Sequence, residues 1–180
     1  MPAAPEAVLS FWREAGPKRW FAVDPAFDAQ VRERFLATHE AAAAGRLSAW
    51  EITAEGALAL LIALDQFPRN MFRGTARAFS TDPLALAAAR RAIDRGFDRA
   101  FPTPERNFFY LPFEHSENLA NQERGVALTD ATGDAEALKW AKVHLDVIHR
   151  FGRFPHRNAA LGRVSTPEEI AFLDGGGFRA

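Results

Sequence analysis

Two carboxylates, an imidazole and a hydroxyl meet in one short stretch, Glu114-His115-Ser116-Glu117, directly after the most aromatic run of the chain, Phe108-Phe-Tyr-Leu-Pro-Phe113. An apolar wall that ends in a few polar groups is the usual make-up of a ligand site. Here His115 would supply a proton donor or acceptor, and Glu117 would orient it. Tyr110, the one tyrosine, extends the patch, as does Gln122, which shares a helical face with His115. A second imidazole, His144, falls between two apolar stripes of a helical segment, one of Leu138, Ala141, Leu145 and Ile148, the other of Trp140, Val143 and Val147. At about 100° per residue His144 points inward and His149 outward. An inward histidine is either a hydrogen-bonded core residue or a group facing a ligand.

Charge recognition would fall to arginine, which outnumbers lysine 19 to 3. Two loops resemble each other, Phe67-Pro-Arg-Asn-Met-Phe-Arg-Gly74 and Phe154-Pro-His-Arg-Asn-Ala-Ala-Leu-Gly-Arg163. Each follows an apolar helix and carries Phe-Pro, Arg-Asn and a downstream Gly beside an Arg. A guanidinium fork can grip a carboxylate or phosphate through two parallel hydrogen bonds. Arg69, Asn70, Arg73, Arg153, His156, Arg157 and Asn158 are therefore candidates to bind an anion. The same residues, and Arg163 with them, could instead tie their loops to helix carbonyls or to Asp65, Glu114 and Glu117. Asp65 ends the apolar run Leu58-Ala-Leu-Leu-Ile-Ala-Leu64, where a carboxylate is costly unless it is paired. Arg69 and Arg73 are its nearest partners, so Asp65 either pins the loop or orients an arginine that binds ligand.

Other chemistries find less support. His115, His144 and His156 sit in three separate elements without His-Glu-x-x-His spacing, so no metal site and no cofactor is expected. Ser116 lacks the signature of a nucleophile elbow. No glycine loop suited to phosphate is present, and Gly175-Gly-Gly177 reads as the start of a flexible C-terminal tail over 174–180. With no cysteine, disulfides, thiolate zinc sites and cysteine nucleophiles are excluded.

Positioning these groups is the task of helices. Asp24-Pro25, Asp82-Pro83, Thr103-Pro104 and Thr166-Pro167 each place a side-chain acceptor before a proline, the pattern of an N-cap followed by the first helical residue. Thr166-Pro-Glu-Glu169 also completes a capping box. Helices are expected near 5–15, 25–44, 53–67, 83–95 and 135–151, with a divided segment over 104–128 and a short helix after Pro167. No alternating β-branched run or Asn-Gly turn suggests a strand. The 180 residues suit a single domain, and 48% hydrophobic with 25% charged residues suit a folded one. Formal charges of 22 and 23 nearly cancel, which gives no field for nucleic acid or an anionic membrane. The N-terminal residues lack the pattern of a secretory signal, and no apolar run is long enough to span a bilayer, so a cytoplasmic protein is expected.

Several of these motifs together resemble the bacterial family known as domain of unknown function 924. They are Leu64-Asp-Gln-Phe-Pro-Arg-Asn-Met-Phe-Arg-Gly74, Tyr110-Leu-Pro-Phe-Glu-His-Ser-Glu117 and Arg150-Phe-Gly-Arg-Phe-Pro-His-Arg-Asn158, with Val8-Leu-Ser-Phe-Trp12 and Leu161-Gly-Arg-Val-Ser-Thr-Pro-Glu-Glu169. The resemblance implies an all-α, tetratricopeptide-like stack of antiparallel helix pairs and carries no activity with it. That family often has Met where this chain has Glu114, which shifts weight from Glu114 to His115 and Glu117.

The expectation is thus a compact all-α domain over residues 1–180 with a pocket built from the 65–73, 110–122 and 144–163 regions. Its ligand would be a small anion. Asp65, His115, Glu117 and His144 would be the groups for any chemistry. The alternative is a tetratricopeptide-like module that binds a protein or peptide, with the loop arginines purely structural.

Overall fold

The structure, a computed structural model, describes residues 1–178. Among them every regular element is helical and none is a strand. Helix α1 (Pro5–Ala15) leads through the short α2 (Pro17–Trp20) into α3 (Pro25–Ala43). Helix α4 (Ala54–Leu61), a π-helical turn (Ile62–Gln66) and α5 (Phe67–Met71) then run on without a break. Helices α6 (Asp82–Asp94), α7 (Leu111–Glu114), α8 (Leu119–Asp130), α9 (Ala135–Phe151) and α10 (Pro167–Asp174) complete the set. Between α6 and α7 lie two 3-10 turns, Phe97–Ala100 and Glu105–Phe109.

Three of the four cap-proline sites start α-helices as expected, and two of these use the expected side-chain cap. Asp24 accepts from the amides of Ala26 and Phe27, and Thr166 with Glu169 forms the reciprocal capping box. The other two behave differently. Asp82 starts α6 as its first helical residue rather than as its cap, and its carboxylate accepts from Arg69. Thr103-Pro104 leads into the 3-10 turn Glu105–Phe109, not an α-helix.

Contacts group the chain into two compact units. The first holds Met1–Arg73 and Arg77–Pro112, and the second holds Gly74–Ala76 with the chain from Phe113 onward. In the first unit the buried helix over 54–71 is the shared partner: α4 packs on α1 and α6, and α5 packs on α3. Trp12 is the aromatic hub, stacked on Trp20 and met edge-on by Phe67 and Phe108, each at 5.8 Å. In the second unit α8 and α9, joined by residues 131–134, form a helical hairpin. Val147, Ile148 and Phe154 make its core, with Phe151, Phe172 and Phe178 packed against them.

The π turn follows from a proline. Pro68 has no N–H to give the carbonyl of Leu64, four residues earlier, and its ring crowds that carbonyl. The helix widens just before it, and Phe67 N–H donates to Ile62 O, five residues back. The Leu64 carbonyl accepts instead from the hydroxyl of Thr81 at 2.5 Å, and both residues are buried. The neighbouring Ala63 carbonyl is met by His39 Nδ1 of α3 at 2.9 Å. Replacing Thr81 with Val keeps the shape and deprives the Leu64 carbonyl of this donor. The expected cost is about 1–3 kcal/mol, measured as a drop in the urea midpoint with an unchanged slope.

Candidate functional site

The polar residues singled out from the sequence fall into two sets, one in each unit. In the first unit, Asp65 lies in the π turn and is 1% exposed. Gln66 Nε2 donates to its Oδ2 at 2.6 Å, and Arg69 Nη1 stands 3.5 Å from its Oδ1. Arg69 spends its fork on Asp82, at 2.9 and 3.1 Å, and also donates to the Asp65 carbonyl at 2.7 Å. Burial alone would lower the pKa of Arg69, but the two flanking aspartates outweigh it and the net shift is upward. Arg73 and Asn70 both reach Asp28 of α3, Arg73 at 2.9 and 3.0 Å and Asn70 at 2.7 Å. Tyr110 donates to Asp98 Oδ2 at 2.7 Å. Burial first, then that carboxylate, push its phenol well above the ordinary value, so Tyr110 is a fixed neutral donor.

In the second unit, α8 holds the turn over 115–118 in place. Gln122, fully buried, donates from Nε2 to the carbonyls of Glu114 (2.6 Å) and Ser116 (2.7 Å), and Asn121 donates to Ser116 Oγ. Gly125 lets α8 approach, since a Cβ there would sit 3.0 Å from Phe113 Cβ. Glu117 accepts from the Phe154 amide at 2.8 Å and from the Arg163 fork at 2.7 and 2.9 Å. Burial opposes ionisation of Glu117, yet these donors keep its pKa below the usual carboxylate value. Glu169 is matched in the same way. Arg153 grips it at 2.6 and 2.8 Å, Asn158 donates at 3.0 Å, and the Thr166 amide donates at 2.8 Å.

Two imidazoles and a guanidinium gather around one ring, Phe154. His144 lies edge-on to it at 5.8 Å, His156 is tilted against it at 5.5 Å, and the Arg157 guanidinium sits 4.5 Å from its centroid. His115 extends the group, 6.1 Å from His144. His144 is buried and His149 exposed, as the helical phase requires. His144 Nδ1 meets the Trp140 carbonyl at 2.8 Å, so that nitrogen carries the proton and Nε2 is the acceptor in the neutral ring. Glu114 is 3.9 Å from the same Nδ1, accepts from Thr129 Oγ1 at 3.3 Å, and is 4% exposed. Sequence reasoning moved weight away from Glu114, whereas its carboxylate lies beside His144. No group of three or more His, Cys, Asp or Glu among the described residues has the geometry to hold a metal ion. Among the described residues, no helix is long and apolar enough to cross a membrane.

The family described as bacterial protein of unknown function (DUF924) matches residues 8–177. The chain belongs to that family. Of solved structures, the protein of unknown function ATU0120 from Agrobacterium tumefaciens is 48% identical, with a TM-score of 0.93 over 96% of this chain and 97% of the other. No curated protein matches the chain. The family's all-α fold is thus the fold of this chain, and the helical expectation stands.

The Arg153–Glu169 pair makes the second unit acid-sensitive. The Arg153 fork, with the Thr166 amide, holds Glu169 down to about 2, against an ordinary 4.5. A carboxylate depressed in the folded state stabilises fully above its unfolded value, and that stability is lost as pH falls from about 4.5 toward 2. Thermal melts of the wild type should fall steeply across this range. In Arg153→Met the fall should be shallower, and the melting temperature at neutral pH lower.

Proposed function

We propose that the second unit binds a small anion, a carboxylate or phosphate compound, on the group around Phe154. Arg157 holds the charge, while His144 and His156 hydrogen-bond the ligand and His115 extends the polar wall. Glu117 acts as a positioning residue, because its contacts with Arg163 and the Phe154 amide set the loop that carries His156 and Arg157. The observation that carries this reading is the placement of Arg157. It is 6% exposed and lies over Phe154, the same ring that His144 and His156 flank. Arg69, Arg73, Arg153 and Arg163 each spend their forks on a carboxylate of their own unit. A guanidinium on an aromatic face keeps its in-plane N–H groups aimed outward along the ring plane, which suits a planar carboxylate or a phosphate.

The tetratricopeptide-like interaction module is the second reading. The exposed apolar side chains Val164 and Ile170, before and on α10, favour it.

Inorganic phosphate and malonate separate the two. A ligand at about 100 times its Kd stabilises the native state by about 2.7 kcal/mol. At about 2–4 °C per kcal/mol for a domain of this size, the melting temperature should rise by roughly 5–10 °C, beyond sodium chloride controls of equal ionic strength. Arg157→Ala should abolish the rise, and Arg157→Lys, which keeps the charge but not the fork, should reduce it. No rise in the wild type, or an undiminished rise in both variants, would remove the anion reading and leave the interaction module in its place.

A further inference from the structure

Helix α10 ends in a built stop that aims one side chain. Gly176 N–H donates to Leu173 O at 3.3 Å and Gly177 N–H to Phe172 O at 2.8 Å, with Gly176 in the left-handed region at φ +79°. These crossed bonds around a left-handed glycine are a Schellman stop. Gly177 is confined too, since a Cβ there would lie 2.5 Å from Phe172 O and 2.6 Å from the Phe172 ring. The three glycines that suggested a loose tail thus turn the chain back and deliver Phe178. Residues 179–180 of that tail lie outside the described residues.

Phe178 lands among the residues just assigned to the ligand. Its ring is 4.5 Å from that of His144 at 60° and 5.4 Å from that of His156 at 80°, both edge-on arrangements that aromatic rings favour. Phe154 and Trp140 are each 6.4 Å away. Four rings therefore line a seat that holds a fifth. Phe178 is only half-buried and Trp140 is exposed, so one side of the seat opens to water. Phe154 is a wall of this seat and also the ring beneath Arg157. A ligand with its charge on Arg157 would thus have any ring it carries directed at the place Phe178 occupies.

We propose that this seat is an aryl-binding subsite, filled by Phe178 in the resting chain and taken over by an aromatic ligand that displaces it. The ligand class is then a small aromatic carboxylate or aryl phosphate. The aryl seat stands on the rings alone, and the ligand's charge rests on the anion reading above. Phe178 competes for the seat, so an incoming ring binds with its intrinsic affinity reduced by the fraction of chains in which the seat is open.

The test uses the full chain, wild type and Phe178→Ala, with three probes: benzyl alcohol, inorganic phosphate and phenyl phosphate. Affinities come from calorimetry, and the ring signals of His144 and His156 are followed by NMR. Benzyl alcohol should bind Phe178→Ala at least about tenfold more tightly than the wild type and should move both histidine signals. Phenyl phosphate should gain by a similar factor, and inorganic phosphate should bind the two proteins equally. Phe178→Leu, an apolar plug without the ring geometry, should fall between them. If benzyl alcohol binds neither protein, or both alike, the aryl seat is refuted. The same holds if Phe178→Ala unfolds the unit, since Phe178 would then be core. If inorganic phosphate binds neither protein while benzyl alcohol still prefers Phe178→Ala, the anion reading falls and the aryl seat stands.

Discussion

An arginine fork closed on a carboxylate from another element is the contact on which both units depend. Asp28 of α3 takes Arg73 and Asn70, and Asp82 of α6 takes Arg69, which fastens the end of the buried helix over 54–71. Glu117 takes Arg163 and Glu169 takes Arg153, which fasten the loop after α9. These loops leave deeply apolar helices and carry polar backbone that must be satisfied. Two parallel hydrogen bonds between planar groups fix direction as well as distance, a constraint that a lysine could not impose. The outer pairs of the same type, such as Arg77–Glu40, are open to water on both sides and add little.

The candidate site is set apart by what gathers on one aromatic ring, Phe154. Most polar residues with suggestive chemistry are engaged in holding structure: Asp65 and Gln66 in the π turn, Tyr110 on Asp98, and Gln122 on the carbonyls of the 114–116 turn. What gathers around Phe154 is of another kind. Imidazoles and a guanidinium meet an aromatic ring through their faces and edges. The buried Glu114 beside His144 adds a carboxylate to the same neighbourhood.

The two Phe-Pro-containing loops show how one sequence pattern can serve two conformations. Pro68 sits inside a continuing helix and forces the π turn, whereas Pro155 opens a 3-10 turn after a left-handed Gly152 has ended α9. In both places the downstream arginine reaches a carboxylate far away in the chain, Arg73 to Asp28 and Arg163 to Glu117. The shared residues solve one anchoring problem at the end of an apolar helix. The backbone route differs because only Gly152 supplies a stop before the proline.

Local chemistry is what the sequence by itself determined. The helices at 5–15, 25–43, 135–151 and after Pro167 were legible because caps, prolines and the 3.6-residue period act over a few neighbouring residues. The burial of His144 against the exposure of His149 was legible for the same reason. The tertiary structure alone decided which carboxylate each arginine meets. Asp82 looked like a cap and became the partner of Arg69, and Asp28 carried no local sign that Arg73 and Asn70, more than 40 residues away, would converge on it. It also decided that Glu114 lies beside His144, and that the glycines after α10 aim Phe178 at two histidines. A charge pair has no period and no fixed spacing along the chain. It is set by which helix faces pack together, and that depends on side-chain volumes summed over a whole unit.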